Sequence, residues 1–456
     1  MSCRVPPTAD DLDVPTHLET RVDGVRILII QTRPPGAISH VQVDVSVGDD
    51  YESRPDQREV AHFIEHLVAS LLRSRKYRKI GNKRMAEELG IASNACTSSV
   101  RTSYYMNGTT DLLETMIHVQ IGAVVDFLTF FNETAKDDRF GREEQAVRRE
   151  LASKIDLADY RMYERLNEIL YANHPRAISQ RTDMENIMHM KPETVREFYT
   201  NYYVPSNMVF TVATSVPIND VKKILNQYMF TVPTIIKKTA PLRALLRNTF
   251  PSNRNVHYLQ LQESRTVRLN LVWPLNMRRF DDDAISASII SNVLSGGFSS
   301  RLLHELREHL GDVYSVSAYP CLDELKANFS TFQIETSTSN KKVNEVLSHI
   351  MSELRLLCSE GPSNEEMEKY RRRIRASHEH MLLDREPSTF VDAYAEQVLF
   401  RGKIVHSRRK SLEHALSITK EEVKRVCNSI FQQPNVVLLY GSMDKLNDAQ
   451  LKLAIK

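Results

Sequence analysis

The sequence predicts an α+β protein built from two similar halves. Strand-like and helix-like segments follow one another in runs, without the strict alternation that characterises parallel α/β sheets. Two short matches also recur at nearly one offset. Asn207–Val212 resembles Asn435–Tyr440, 228 positions later, and Ala61–His66 resembles Ala287–Asn292, 226 positions later. Such repetition indicates internal duplication, so each half is expected to contain a mostly antiparallel sheet packed with helices.

The elements of the first half follow from its hydrophobic pattern. Residues 41–47 alternate apolar and polar side chains, which is typical of a half-buried strand. Richness in β-branched and aromatic residues predicts further strands over 25–31 and 101–107. Helical composition predicts helices over 58–72, 111–131 and 142–170, and the last of these contains neither glycine nor proline.

A segment rich in proline and basic residues separates the halves. Pro233, Pro241 and Pro251 interrupt it, together with Lys237 and Lys238, and little apolar periodicity persists there. We therefore predict a first half over 1–232, a linker over 233–255 and a second half over 256–456.

Composition limits the partners and the compartment. The formal net charge is only +2, which requires neither nucleic acid nor a membrane as partner. Residues 1–20 contain four acidic side chains and no apolar core of a secretory signal. No apolar run reaches the ~20 residues that span a bilayer. The five cysteines show no CxxC spacing, which fits a reducing compartment. We expect an intracellular soluble protein of the cytoplasm or a mitochondrial-type matrix, not a secreted one.

The chemical centre of the sequence is the segment from His62 to His66. On a helix, residues at i, i+3 and i+4 share a face, so His62 and His66 can direct two imidazoles at one metal ion. Zinc suits imidazole and carboxylate ligands, and catalytic zinc keeps one position open for water. Glu65 lies beside the histidines, where its carboxylate can reach that water. This H-x-x-E-H order is typical of one class of zinc peptidases.

A third ligand is required, and the helical run 142–150 offers Glu143 and Glu150. They are seven residues apart, about two helical turns, and therefore face the same way. One can coordinate zinc while the other supports a ligand from behind. The residues alone leave open which glutamate has which role. The alternative is that both are solvated charges, the usual fate of glutamate.

With these glutamates, the motif resembles the insulinase/pitrilysin family of zinc peptidases. Glu150 follows His66 by 84 residues, near the spacing that this family shows. The resemblance implies that Glu150 is the third zinc ligand, that Glu143 supports the ligands and that Glu65 is the catalytic base. It covers roughly residues 25–440.

A second stretch of the first half carries the same resemblance. Gly90–Thr97, followed by Thr102-Ser-Tyr104, resembles the edge strand on which the family binds its substrate. The resemblance implies that Asn94, Ala95 and Thr97 hold a peptide there as an added strand, the binding mode known as β-augmentation.

The second half retains no metal motif. Ser288, Ser291 and Asn292 stand at the positions that correspond to the histidines and the base, so we expect one Zn²⁺ per chain. The resemblance implies that Arg307 and Tyr314 reach the scissile carbonyl and stabilise the developing oxyanion. Interpreted without it, Arg307 is an exposed helix charge and Tyr314 a core residue.

The implied function is a zinc-dependent endopeptidase that cleaves peptides or unfolded, presequence-like segments inside a chamber formed by two chains. Larger members of the family carry four such domains and this chain carries two, so we expect it to pair with another chain. Because it carries both the zinc motif and the Arg307–Tyr314 pair, we expect a homodimer. A heterodimer with a related subunit is the alternative. The rival function is a non-catalytic structural or partner subunit of the same family, but such members have typically lost ligands that this chain keeps.

The chain departs from the family at two places. Glu59 stands where the family often has glycine, three residues before His62. After His66, residues 73–79 replace a turn of small residues, and they begin the basic segment Arg73–Arg84. Its single aromatic, Tyr77, does not provide the interleaving expected of a nucleic-acid surface. We interpret it as a solvated face or a surface for acidic peptide.

Overall fold

The secondary structure is given by a computed structural model. It describes residues 14–32, 37–71, 82–134, 139–155, 157–171, 174–177, 180–227, 250, 255–260, 266–311, 313–325, 327–383 and 387–441. The strands are β1 Thr16–Thr20, β2 Arg26–Gln31, β3 Ile38–Val45, β4 Ala92–Thr97, β5 Thr102–Thr109, β6 Met208–Thr214, β7 Asn255–Gln260, β8 Thr266–Pro274, β9 Val316–Cys321, β10 Thr331–Ser339 and β11 Val436–Gly441. The helices are α1 Val60–Leu71, α2 Asn82–Glu88, α3 Leu113–Val125, α4 Phe127–Thr134, α5 Arg139–Ile155, α6 Ala158–Leu170, α7 Gln180–Ile187, α8 Pro192–Tyr202, α9 Ile218–Gln227, α10 Asp283–Ser295, α11 Arg301–Leu303, α12 Val343–Glu360, α13 Asn364–Leu383, α14 Pro387–Arg401, α15 Arg408–Ser417 and α16 Lys420–Phe431.

Two sheets with matching topology form the framework. The first has the strand order β1-β2-β6-β3-β5-β4, and the second has the order β7-β11-β8-β10-β9. Without β1, the two orders correspond strand for strand. Each sheet contains one parallel pair, β2 with β6 in the first and β7 with β11 in the second. The other described pairings are antiparallel. The predicted α+β class with two homologous, mostly antiparallel halves is confirmed.

Most predicted elements of the first half are confirmed, and two predicted helices are each interrupted. Strands β2, β3 and β5 and helix α1 lie where the pattern places them. The helix predicted over 111–131 breaks at Asp126, between α3 and α4. The run predicted as one helix over 142–170 is divided into α5 and α6. That division has a structural reason, because the two helices belong to different compact units.

The chain forms two compact units, each assembled from three segments. The first comprises the described parts of Met1–Leu157, Ile178–Leu245 and Glu379–Ser411, and the second those of Ala158–Ala177, Leu246–His378 and Leu412–Lys456. Helix α6 thus lies with the second sheet and helix α14 with the first, although each comes from the opposite half of the sequence. Apart from 250 and 255, the predicted linker lies outside the described residues, as do residues 73–81 of the basic segment.

Helix α14 covers one face of the first sheet. Leu28 and Ile30 on β2 belong to the same buried cluster as Tyr394 and Val398 on α14. The guanidinium of Arg26 donates hydrogen bonds to the carbonyls of Val398 (2.6 Å) and Leu399 (2.9 Å). These carbonyls are near the C-terminal end of the helix, where a cation is favourable. Within the described residues, no helix is long and apolar enough to cross a membrane.

Candidate metal centre

Helix α1 presents the H-x-x-E-H segment on one side and is anchored on the other. Phe63, Ile64 and Leu67 are buried on one face of the helix. The other face, which carries His62 and His66, lines a cavity. The carboxylate of Glu52 accepts hydrogen bonds from the backbone N–H groups of Glu59 and Ala61, both at 3.0 Å. Glu52 thereby satisfies donors that the first turn of a helix leaves unpaired.

The three residues predicted to bind zinc converge. On α5, Val147 and Leu151 are buried, and Glu150 between them faces α1. Its Oε2 lies 3.6 Å from Nε2 of His62 and 3.4 Å from Nε2 of His66. Candidate ligand atoms on the three residues all lie within 4.8 Å of one another.

This donor set fits zinc. Two imidazoles and one carboxylate are a familiar ligand set for catalytic zinc, with bonds of about 2.0–2.2 Å. A tetrahedral centre with such bonds separates its ligand atoms by about 3.3–3.6 Å, which the two measured imidazole–carboxylate distances match. His62, His66 and Glu150 are the single group of three potential ligands of this kind found among the described residues.

Each histidine has a carboxylate behind it. Nδ1 of His66 lies 3.5 Å from Oε2 of Glu143, and Nδ1 of His62 lies 2.9 Å from Oε2 of Glu59. The second oxygen of Glu150 is also engaged, since Nζ of Lys154 donates a 2.6 Å hydrogen bond to Oε1. Both imidazoles are therefore held from the side opposite the carboxylate that they share.

The carboxylates make the centre attractive to a cation. Burial lowers the pKa of His62, but hydrogen bonds to Glu150 and Glu59 outweigh that effect and raise it to about 10. The pKa of Glu150 is lowered, chiefly by its hydrogen bond to His62. Burial raises the pKa of Asp49 to about 7, and the charge of Glu59 adds to that increase.

The predicted base lies at the wall of a cavity in the first unit. Glu65 is 8% exposed, and its Oε2 accepts a 2.7 Å hydrogen bond from the hydroxyl of Thr97. The cavity has a volume of about 630 Å³ and is lined by the three predicted ligands, Glu65, Glu143 and part of β4. It is large enough for a few residues of an extended peptide.

Strand β4, which carries the residues predicted to bind substrate, is the outer strand of the first sheet. Asn94 is exposed, and Ala95 is half-buried. Nδ2 of Asn94 donates a 3.2 Å hydrogen bond to the hydroxyl of Tyr105 on the neighbouring strand. The strand pairs with β5 on one side, so its other side can accept a further strand. Thr97 differs from the other two, because its hydroxyl contacts Glu65.

Arg307 and Tyr314 are brought together in the second unit. Arg307 lies in a π-helical turn, His304–His309, that continues α11. Its guanidinium carbon is 5.8 Å from the ring centroid of Tyr314 and 5.4 Å from that of Phe298. Tyr314 is 83% exposed, so it is not a core residue. The exposed cluster suits contact with another molecule.

Three contacting residues were not identified as site residues from the sequence. Glu59 departs from the family's usual glycine, and its contact with His62 has the i, i+3 spacing. Lys154 follows Glu150 at i+4, a spacing that could have identified it. Glu52 reaches the start of α1 from a preceding turn, and no sequence pattern indicates that contact.

Comparisons with known families agree with this arrangement. A family described as "Insulinase (Peptidase family M16)" matches residues 27–182, which include the three predicted zinc ligands, Glu65 and strand β4. A second, described as "Peptidase M16 inactive domain", matches residues 189–374. The second match fits a half in which Ser288, Ser291 and Asn292 replace the metal motif.

Curated relatives are similar along most of the chain. An uncharacterized zinc protease of Bacillus subtilis, YmxG, is 22% identical over 358 residues, 78% of this chain and 81% of the relative. An uncharacterized zinc protease of Rickettsia bellii is 22% identical over 407 residues, 88% of this chain and 92% of the relative.

Two solved structures share the fold. A protease from Helicobacter pylori has a TM-score of 0.80 at 16% identity and covers 94% of this chain and 99% of its own. A peptidase M16 inactive domain from Pseudomonas fluorescens has a TM-score of 0.75 at 16% identity, with 95% and 99% coverage.

Proposed function

The chain belongs to the insulinase family of peptidases, peptidase family M16, and from this premise we propose that it is a zinc-dependent endopeptidase holding one zinc ion per chain. The observation that carries the proposal is the convergence of His62, His66 and Glu150 beside Glu65. A subunit retained only for structure has no need of a complete ligand set next to a base.

The proposed chemistry is hydrolysis of a peptide bond by an activated water. Zinc, when bound, supplies a Lewis acid that polarises the water and the peptide carbonyl. Glu65 accepts the proton of the attacking water and later donates it to the leaving amine. The hydrogen bond from Thr97 fixes the direction of the Glu65 carboxylate, so the base is positioned before substrate arrives.

The substrate is proposed to be a peptide or an unfolded, presequence-like segment. Strand β4 is an edge strand beside the cavity, so an extended peptide can add to the sheet through backbone hydrogen bonds. Asn94 and Ala95 would contact the peptide backbone. A folded substrate cannot present the extended backbone that this binding mode requires.

Arg307 and Tyr314 are proposed to stabilise the oxyanion, in a chamber formed by two chains. The adjacent, exposed guanidinium and phenol are donors suited to a developing negative charge. A homodimer is proposed over a heterodimer because this one chain carries both the ligand set and the Arg307–Tyr314 pair.

Location in the cytoplasm or a mitochondrial-type matrix stays a prediction.

The test is incubation of the pure protein with a peptide library, with and without a zinc chelator, followed by mass spectrometry. We expect cleavage within peptides that stops with chelator and returns with zinc. An intact library in the presence of bound zinc would favour the non-catalytic subunit instead.

A further inference from the structure

Glu59 combines an unusual backbone conformation with a contact to a zinc ligand. Its φ is +67°, and it is the one non-glycine residue with positive φ among the described residues. Side chains rarely adopt this left-handed region because Cβ crowds the backbone. The strain therefore calls for a compensating role of the side chain.

Capping the helix is not that role. The backbone carbonyl of Glu59 accepts the first helical hydrogen bond, from Phe63, so Glu59 occupies the N-cap position of α1. An N-cap side chain usually accepts from the next backbone N–H groups. Here the carboxylate of Glu52 accepts from Ala61 and from the N–H of Glu59 itself. The carboxylate of Glu59 is thus available for another partner.

That partner is His62. Oε2 of Glu59 lies 2.9 Å from Nδ1, and the two side chains are only 11% and 15% exposed. A carboxylate accepts, so the contact keeps a proton on Nδ1 and leaves Nε2 as the nitrogen whose lone pair a bound metal would take. Nε2 is the atom that faces Glu150 at 3.6 Å. The contact therefore selects the tautomer that a metal requires.

We propose that Glu59 is a positioning residue for zinc, which holds His62 as Glu143 holds His66. The proposal rests on the zinc site proposed above. It assigns one carboxylate to each histidine, and it gives the strained φ at position 59 a purpose that the glycine usual in the family cannot serve. Compared with glycine, Glu59 has a strained backbone conformation at the start of α1, but its carboxylate holds the imidazole of His62 in place.

The test separates zinc affinity from stability. In Glu59→Gly the carboxylate is lost and the strain is relieved, so zinc affinity should fall by about 10–100-fold while the metal-free protein melts no lower than wild type. Glu59→Gln keeps the strain and an amide acceptor but removes the charge, so its zinc affinity should fall less. Glu193→Gln, on the exposed part of α8, is the matched control and should change neither quantity.

Affinity is measured by competition with a chromogenic chelator and melting by circular dichroism. Long-range ¹H–¹⁵N spectra of the zinc form report the His62 tautomer, and the Nδ1 proton should exchange faster in Glu59→Gly. If wild type binds no zinc, the proposed function fails. If wild type binds zinc and Glu59→Gly binds it equally tightly, the role of Glu59 alone is overturned. Lower affinity accompanied by a lower melting temperature would also overturn it, since that pattern indicates a structural role.

Discussion

The hydroxyl of Thr97, on the edge strand β4, donates a 2.7 Å hydrogen bond to the carboxylate of Glu65, on helix α1. The sequence predicts Thr97 as a substrate contact and Glu65 as the base, without linking the two. The hydrogen bond connects the strand that is proposed to bind the peptide with the group that is proposed to accept a proton. A shift of the strand on substrate binding would therefore also reorient the base.

Thr97→Val tests this connection. It removes the hydroxyl and keeps the shape, so kcat should fall by about 10–100-fold, part of the 10²–10⁴-fold that a positioned base contributes. Thr97→Ser retains the donor and should behave nearly as wild type. Steady-state kinetics on a quenched peptide distinguish the roles, because a residue that only binds substrate would raise KM and leave kcat unchanged.

Glu65→Gln should retain about one zinc per chain and lose peptide cleavage by at least about 100-fold. The amide cannot accept the proton of water, but the metal keeps its three ligands. Metal analysis and peptide cleavage are measured on the same preparation. Zinc lost together with activity would reassign Glu65 as a ligand.

Glu150→Gln should lower zinc affinity more than Glu143→Gln. The first change weakens a direct bond to the ion, whereas the second removes support from His66, a loss of roughly 10–100-fold in affinity or activity. Competition with a chelator gives the ranking. The reverse order would exchange the two roles, and no effect from either would place the third ligand elsewhere.

Activity should be restored when two inactive proteins, Glu65→Gln and Tyr314→Phe, are mixed and allowed to exchange subunits. The proposed pairing places Tyr314 of one chain at the zinc of the other. In a mixed dimer, one site then carries both defects and the other carries none. Activity should rise in proportion to the mixed dimer formed.

Two controls make the mixing experiment decisive. Each mutant carried alone through the exchange protocol should stay inactive. Subunit exchange is verified independently, by mass spectrometry of differently tagged chains. If the mixture stays inactive although subunit exchange is verified, Tyr314 does not act on the zinc of the other chain. Full activity in a strict monomer would refute the same proposal.

The sequence predicts contacts whose spacing is local and misses those that depend on tertiary structure. His62, Glu65 and His66 share a helix face, and Glu143 and Glu150 lie two turns apart, so helical periodicity suffices to group each set. The family resemblance, and not helical periodicity, predicts that Glu150 on α5 lies close to the histidines on α1. The positive φ of Glu59 is not predicted from the residue itself, because a residue with a Cβ seldom adopts that region.

The position of α14 shows a further limit. Arg26 reaches the carbonyl of Val398, 372 residues further along the chain, and no local pattern encodes that distance. For the same reason, the sequence does not show that α6 belongs to the second compact unit and α14 to the first. The duplication can be recognised because the repeated strands keep similar residues. The placement of α6 and α14 produces no repeated sequence by which it could be recognised.

Helix α14 also determines when the first unit can be completed during synthesis. Until the ribosome has passed Arg401, Leu28, Ile30 and their neighbours on the first sheet lack the apolar cover that α14 provides. The half that carries His62 and His66 is therefore expected to complete its core late, and not as an independent N-terminal domain, the usual order in multidomain chains. A fragment ending in the predicted linker would expose this apolar face and tend to aggregate. Supplying residues 379–411 in trans, as a separate peptide, is the minimal way to solubilise such a fragment.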